Sequence, residues 1–229
     1  MITFKKFLTE KDNHQFLYYD STWSEAAIKD SVMIIKRDCG QYLREIKDPF
    51  NVRAYRGIQI NTLGDHPVFL KKDLRTDRHP KDTPKRVSGL MDDWFKKKFG
   101  IRFRSEAMFV TSKSYTASAF GHVYIVFPIG DYDYCWSKVY SDLTDDASDA
   151  VTNNVHRYPE EYKYLVDKYS NIKKEHLEEI LEDGRYKFNK GLVEALTKTK
   201  SEVMIKCESY YALDTRWKDL YLDVLSELI

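Results

Sequence analysis

No stretch of this sequence stays apolar for the roughly 20 residues that a membrane-spanning helix requires, so no membrane partner is expected. The opening MITFKKFLTEKDNHQF is polar and broken by charges, unlike a secretory leader, and this makes a cytoplasmic setting the expectation. Neither sign of charge is in excess. Lys and Arg number 37 against 36 for Asp and Glu, so nucleic acid or anionic lipid has to be met through a local patch and not through the whole-molecule field. Cysteine is scarce: Cys39, Cys135 and Cys207 are odd in number and far apart, which excludes a disulfide framework. The six histidines are scattered without ligand spacing, and no structural metal is expected. Repeats, low-complexity segments and convincing linkers are also missing.

What is present is core-forming material. Of the 229 residues, 42% are hydrophobic and 14% aromatic, enough for one α+β domain covering 1–229. Thr22 stands three residues before Glu25, a capping-box spacing. It introduces the apolar stripe Ile28, Val32, Ile35, Cys39, Tyr42, Leu43 and Ile46 of one long helix, which makes 1–50 an N-terminal helical segment. Residues 51–60 turn strand-like, with Gly57 inside, and 64–84 read as a loop ending in Thr83 and Pro84. A helix follows with Val87, Leu90, Met91, Trp94 and Phe95 on one side, Lys96, Lys97 and Lys98 near its end, and Gly100 as its stop. Strands are expected at 107–110 and 123–127. A helical insertion covers about 155–196, SEVMIKCESYYAL supplies a late core strand, and 212–229 form a closing helix with Trp217, Leu220, Tyr221, Val224, Leu225 and Leu228 on its stripe.

Three short strand-like segments stand out together: Tyr55-Arg56-Gly57, Phe109-Val110-Thr111-Ser112, and Glu202-Val203-Met204-Ile205. Singly, Arg56 reads as a solvent-facing strand arginine, Thr111 and Ser112 as helix-capping hydroxyls, and Glu202 as a solvated acid at a strand mouth. In this order and spacing they resemble the Arg, Ser-Thr-Ser and Glu signature of the mono-ADP-ribosyltransferases. That superfamily includes cholera-toxin-like and clostridial exoenzyme-type toxins and phage enzymes that modify host proteins. The resemblance spans about 51–211 and implies a split mixed β-sheet flanked by helices, with NAD as co-substrate and no metal.

The chemistry accounts for these residue types. Breaking the nicotinamide–ribose bond develops positive charge on the sugar, an oxocarbenium-like state that a fixed carboxylate stabilises, and Glu202 is assigned that role. A guanidinium grips a pyrophosphate, the role of Arg56, and Gly57 lets the backbone approach. Thr111 and Ser112 orient carboxylate and nucleotide, while Tyr115 and Phe120 are candidates for an aromatic platform under the nicotinamide.

The middle motif departs from the family in carrying Lys113 at its third position. Lys200, two residues before Glu202, stands where arginine-modifying members carry Glu, and a cation there repels an incoming arginine. Lys200 is therefore the acceptor-recognition candidate. Lys85, Arg86, Lys96, Lys97, Lys98, Arg102 and Arg104, interleaved with Trp94, Phe95, Phe99 and Phe103, suit single-stranded nucleic acid and place RNA or DNA ahead of protein as acceptor. The resemblance implies a toxin, a phage-defence effector or a host-takeover enzyme, with an antitoxin or inhibitor as a further partner. A catalytically silent NAD- or nucleic-acid-binding module of the same fold is the alternative. A hydrolase built on Cys135 or Cys207 lacks a nucleophile motif, and buried thiols are expected.

Overall fold

The computed structural model describes residues 14–60, 66–76, 83–141, 170–198, 202–216 and 218–229. In chain order these hold β1 (His14–Tyr19), α1 (Glu25–Asp38), α2 (Gly40–Ile46), β2 (Tyr55–Ile58), β3 (Pro67–Asp73), α3 (Lys85–Phe99), α4 (Phe103–Glu106), β4 (Met108–Val110) and α5 (Ser114–Ser118). Then follow β5 (His122–Pro128), β6 (Asp133–Ser137), α6 (Lys174–Asp183), β7 (Tyr186–Phe188), α7 (Leu192–Thr197), β8 (Val203–Lys206), β9 (Ser209–Asp214) and α8 (Lys218–Glu227). The strands form a five-stranded sheet in the order β1-β3-β9-β5-β2 and a four-stranded sheet in the order β4-β8-β6-β7. The α+β class holds. The sheets are not mixed, however: every described pairing is antiparallel. No described helix is long and apolar enough to cross a membrane.

The second sheet explains why its strands read as continuous apolar runs. Val203 and Ile205, Tyr134 and Trp136, and Met108 and Val110 lie in the main core with the first sheet. Their alternate neighbours Met204 and Cys135 belong to a second cluster with Val87, Met91 and Phe95 of α3 and Phe103 of α4, and Phe109 packs against it. With a period of two residues per strand repeat, a sheet covered on both faces has no polar side. Glu202, one residue before Val203, lies by the same alternation on the Met204 side, toward α4.

Several boundaries move. SEVMIKCESYYAL is two strands in different sheets: β8 pairs with β4 and β6, while β9 lies at the centre of the first sheet between β3 and β5. All six residues of β9 are buried. Residues 67–73, expected within the 64–84 loop, are β3, whose apolar Val68, Phe69 and Leu70 are core. Its short PVFL run was masked by the charged sequence around it. The N-terminal segment is not wholly helical, since β1 pairs with β3. Its helix is capped by Ser24, whose side chain accepts from Ala27 N, and it breaks into two at Cys39. The insertion likewise contains β7, paired with β6. As expected, α3 starts just after Pro84 and ends at Gly100 in the left-handed conformation, with φ of 81°. Val224 and Leu225 of α8 and Leu228 just beyond it are buried. Residues 155–169 of the expected helical insertion, and Trp217, lie outside the described residues.

Candidate functional site

The two sheets meet at β2 and β4. Tyr55 and Thr111 exchange both backbone hydrogen bonds, Tyr55 N to Thr111 O at 2.8 Å and Thr111 N to Tyr55 O at 2.9 Å. This bridge joins an edge strand of one sheet to an edge strand of the other. On the far side of β4, Val110 is the last residue opposite β8, facing Val203. Thr111 and Glu202 are therefore the residues immediately beyond that pair, where the strands part. Thr111 turns to β2, and Glu202 N donates to Ser141 O at 2.8 Å. Residues drawn from positions near 55, 110 and 202 thus share one junction, and strand pairing alone brings them there.

Arg56 is half-buried on β2, and its Nη1 donates to Phe109 O at 2.9 Å. Among the described residues no carboxylate stands within ion-pair distance of its guanidinium. A partly desolvated cation in that position suits an external anion such as a pyrophosphate. Gly57 serves a different close approach from the one expected. A Cβ there would lie 2.2 Å from Ala117 O and 2.8 Å from the backbone carbon and Cβ of Phe120, so the glycine admits the α5 turn, and no nucleotide is needed to explain it.

Thr111 is buried, and its hydroxyl accepts from Lys113 N at 3.2 Å, a local turn that ends β4. Ser112 is half-buried beside it. Tyr115, 88% exposed, and Phe120, 55% exposed, are carried by α5 and the residues after it. Two large aromatics thus stand exposed in the segment that follows Ser112. Lys200 lies outside the described residues.

The carboxylate of Glu202 meets Arg104, whose Nη1 lies 3.1 Å from Oε1. Arg104 is 2% exposed, so it is no part of a surface patch. The basic–aromatic cluster of 85–104 comes apart in the same way: Trp94, Phe95 and Phe103 are core, and Phe99 packs against it. Arg86 donates to the carbonyls of Ser170 and Ile172, Lys98 pairs with Glu182, and Arg102 lies 3.5 Å from Asp93. The groove between α3 and α6 is lined on its far side by Glu175, Glu178, Glu179 and Glu182, and it contains none of the three motifs. Burial leaves Trp94, Phe95 and Phe103 no exposed face on which a base could stack. Helical periodicity, which turns Trp94 and Phe95 inward and Lys96 and Lys97 outward, carried this correction in the sequence.

The cysteines are buried and free, as expected. Burial pushes the thiols of Cys39 and Cys135 far up and that of Cys207 up to about 12, which leaves them without thiolate character near neutral pH. Among the described residues no group of three or more His, Cys, Asp or Glu side chains is arranged to hold a metal ion. In comparisons with known proteins, no family model, no curated protein and no solved structure matches the chain.

Proposed function

We propose that this chain is an NAD-dependent mono-ADP-ribosyltransferase that acts on a macromolecular acceptor. The observation that carries the reading is the backbone bridge between Tyr55 and Thr111, which with the pairing of Val110 to Val203 brings Arg56, Thr111, Ser112 and Glu202 to one sheet junction. NAD supplies an ADP-ribosyl group whose glycosidic bond to nicotinamide breaks as the acceptor's bond to the same ribose carbon forms.

Arg56 anchors the pyrophosphate through the guanidinium that finds no carboxylate among the described residues. Tyr115 and Phe120 offer exposed rings to the nicotinamide, and Ser112 lines the approach at the end of β4. Glu202 holds negative charge beside the ribose where positive charge develops, at a place fixed by β8 and by Arg104. The acceptor's displaced proton passes to solvent.

Nucleic acid and protein remain the two acceptor classes. With the aromatics of α3 in the core, the exposed Lys85, Lys96 and Lys97 are what still favours nucleic acid. Incubating the protein with NAD labelled in its adenylate, together with RNA, DNA or cell lysate, reads both nicotinamide release and the labelled fraction. Glu202→Gln is expected to slow release by about 10²–10³-fold. Equal turnover by the variant overturns the assignment.

A further inference from the structure

Arg104 joins elements far apart in sequence at the carboxylate on which the transferase reading depends. The short helix α4 carries it beneath the second sheet, on the face that β8 shares with Met204. Its backbone N donates to Asp92 Oδ1 at 2.8 Å, which ties α4 to the buried side of α3. Its guanidinium lies 4.7 Å from the centre of the Phe109 ring, while Nη2 reaches Thr83 Oγ1 at 3.2 Å and Nη1 reaches Glu202. The buried ring of Tyr186, its hydroxyl held protonated by burial, lies in electrostatic reach of both Arg104 and Glu202. Phe109 serves both arginines of the junction: its carbonyl accepts from Arg56, and its ring lies under Arg104.

An arginine this deeply buried requires a negative partner, and a planar fork held on a ring and a hydroxyl has little freedom to follow a moving carboxylate. The carboxylate is instead held by the fork. We infer that Arg104 is the positioning residue for Glu202: it fixes the rotamer of that carboxylate at the mouth of β8, and so acts on the reaction through Glu202 without touching NAD. The inference rests on the transferase reading above and deepens it. It also replaces the surface role expected for this arginine.

Two measurements test it. In the first, Arg104→Met and Arg104→Lys are compared with the parent protein for nicotinamide release over a range of NAD concentrations. A displacement of about 1 Å at a reacting group costs about 10²-fold, so Arg104→Met is expected to lose about that factor in kcat with KM within threefold, because Arg56 and the aromatic platform are untouched. Arg104→Lys keeps charge but not the fork, and is expected to recover part of the loss. In the second, denaturant unfolding is measured for Arg104→Met, Glu202→Gln and the double variant, a cycle that needs no NAD. The double variant is expected to be destabilised by less than the sum of the single effects. Additive losses overturn the pairing. A coupled pair in an active enzyme whose kcat is unchanged in both Arg104 variants overturns the positioning role alone. A parent protein that releases no nicotinamide overturns the transferase reading and this role with it.

Discussion

The junction between the sheets and the outer face of α3 both stood out in the sequence, and folding treated them in opposite ways. The junction drew on three short segments separated by about fifty to ninety positions, and antiparallel pairing brought them together. The α3 cluster was dense in sequence, yet it was divided: Trp94, Phe95 and Phe103 went to the core, Arg104 beneath the sheet, and Lys96 and Lys97 to solvent. Neighbours on a helix are sorted to opposite faces by its period, whereas distant residues on paired strands become neighbours. Proximity in sequence therefore misled at α3, and order along the chain informed at the junction.

The largest effect that sharpens this contrast is at Phe95, which is 0% exposed and lies 5.0 Å from the ring of Tyr186. Phe95→Ala is expected to cost about 3–5 kcal/mol of stability by removing a core aromatic. Lys96→Ala and Lys97→Ala, on the solvent side of the same turn, are expected to stay within about 0.5 kcal/mol. Urea unfolding of the three variants checks this. A Phe95→Ala protein of parental stability that has lost nucleic-acid binding would restore the stacking surface and erase the contrast.

A pair of glycines provides a smaller test. At Gly57 the α5 backbone occupies the space of a side chain, so Gly57→Ala is expected to cost about 1–3 kcal/mol through forced displacement of α5 and Phe120. At Gly89, inside α3, nothing lies within 4 Å of the added methyl. Gly89→Ala is expected to stabilise by about 0.5–1 kcal/mol, the usual gain from alanine in a helix interior. A Gly57→Ala midpoint that rises as that of Gly89→Ala is expected to would show that the junction is not closely packed around β2.

How much of this was legible follows from which signals are local. The extent of α3, its Gly100 stop and the strands β4 and β5 follow from periodicity and punctuation within a few residues. The α+β class and the three motif strands were legible for the same reason. The partition of SEVMIKCESYYAL between two sheets was not, because Cys207 and Glu208 carry no turn signature and the strands on either side of them are both almost wholly buried. β3 was hidden by Lys71, Lys72 and Asp73, charges that it carries toward its exposed end. Arg104 was visible as a residue but not as a partner, since only the pairing of β4 with β8 and the docking of α4 place it against Glu202.

The smallest expected effect lies along the row that begins at Arg56. Cross-strand opposition sets Arg56, Tyr124 and Asp214 side by side on one face of the first sheet. At the far end of the row Asp214 is 1% exposed and receives Arg216 at 2.9 Å, while His66 Nε2 lies 3.0 Å from both Asp214 Oδ2 and the Tyr124 hydroxyl. Burial and then Arg216 lower the pKa of His66 below its ordinary value, with His122 adding to this, and against the opposing pull of Asp214 and Asp20. The folded protein thus favours neutral His66. Its contribution is fully present above the unfolded value of about 6.5 and is lost as pH falls from there through the folded value, because the unfolded chain then binds more protons. Stability measured by urea unfolding is expected to decline across that interval in the parent and to decline less in His66→Gln. Nicotinamide release by His66→Gln at pH 7.5 is expected to match the parent, because the row's polar end is filled by protein partners and its Arg56 end faces the junction. A loss of activity in His66→Gln without loss of stability would make the two ends of the row one site.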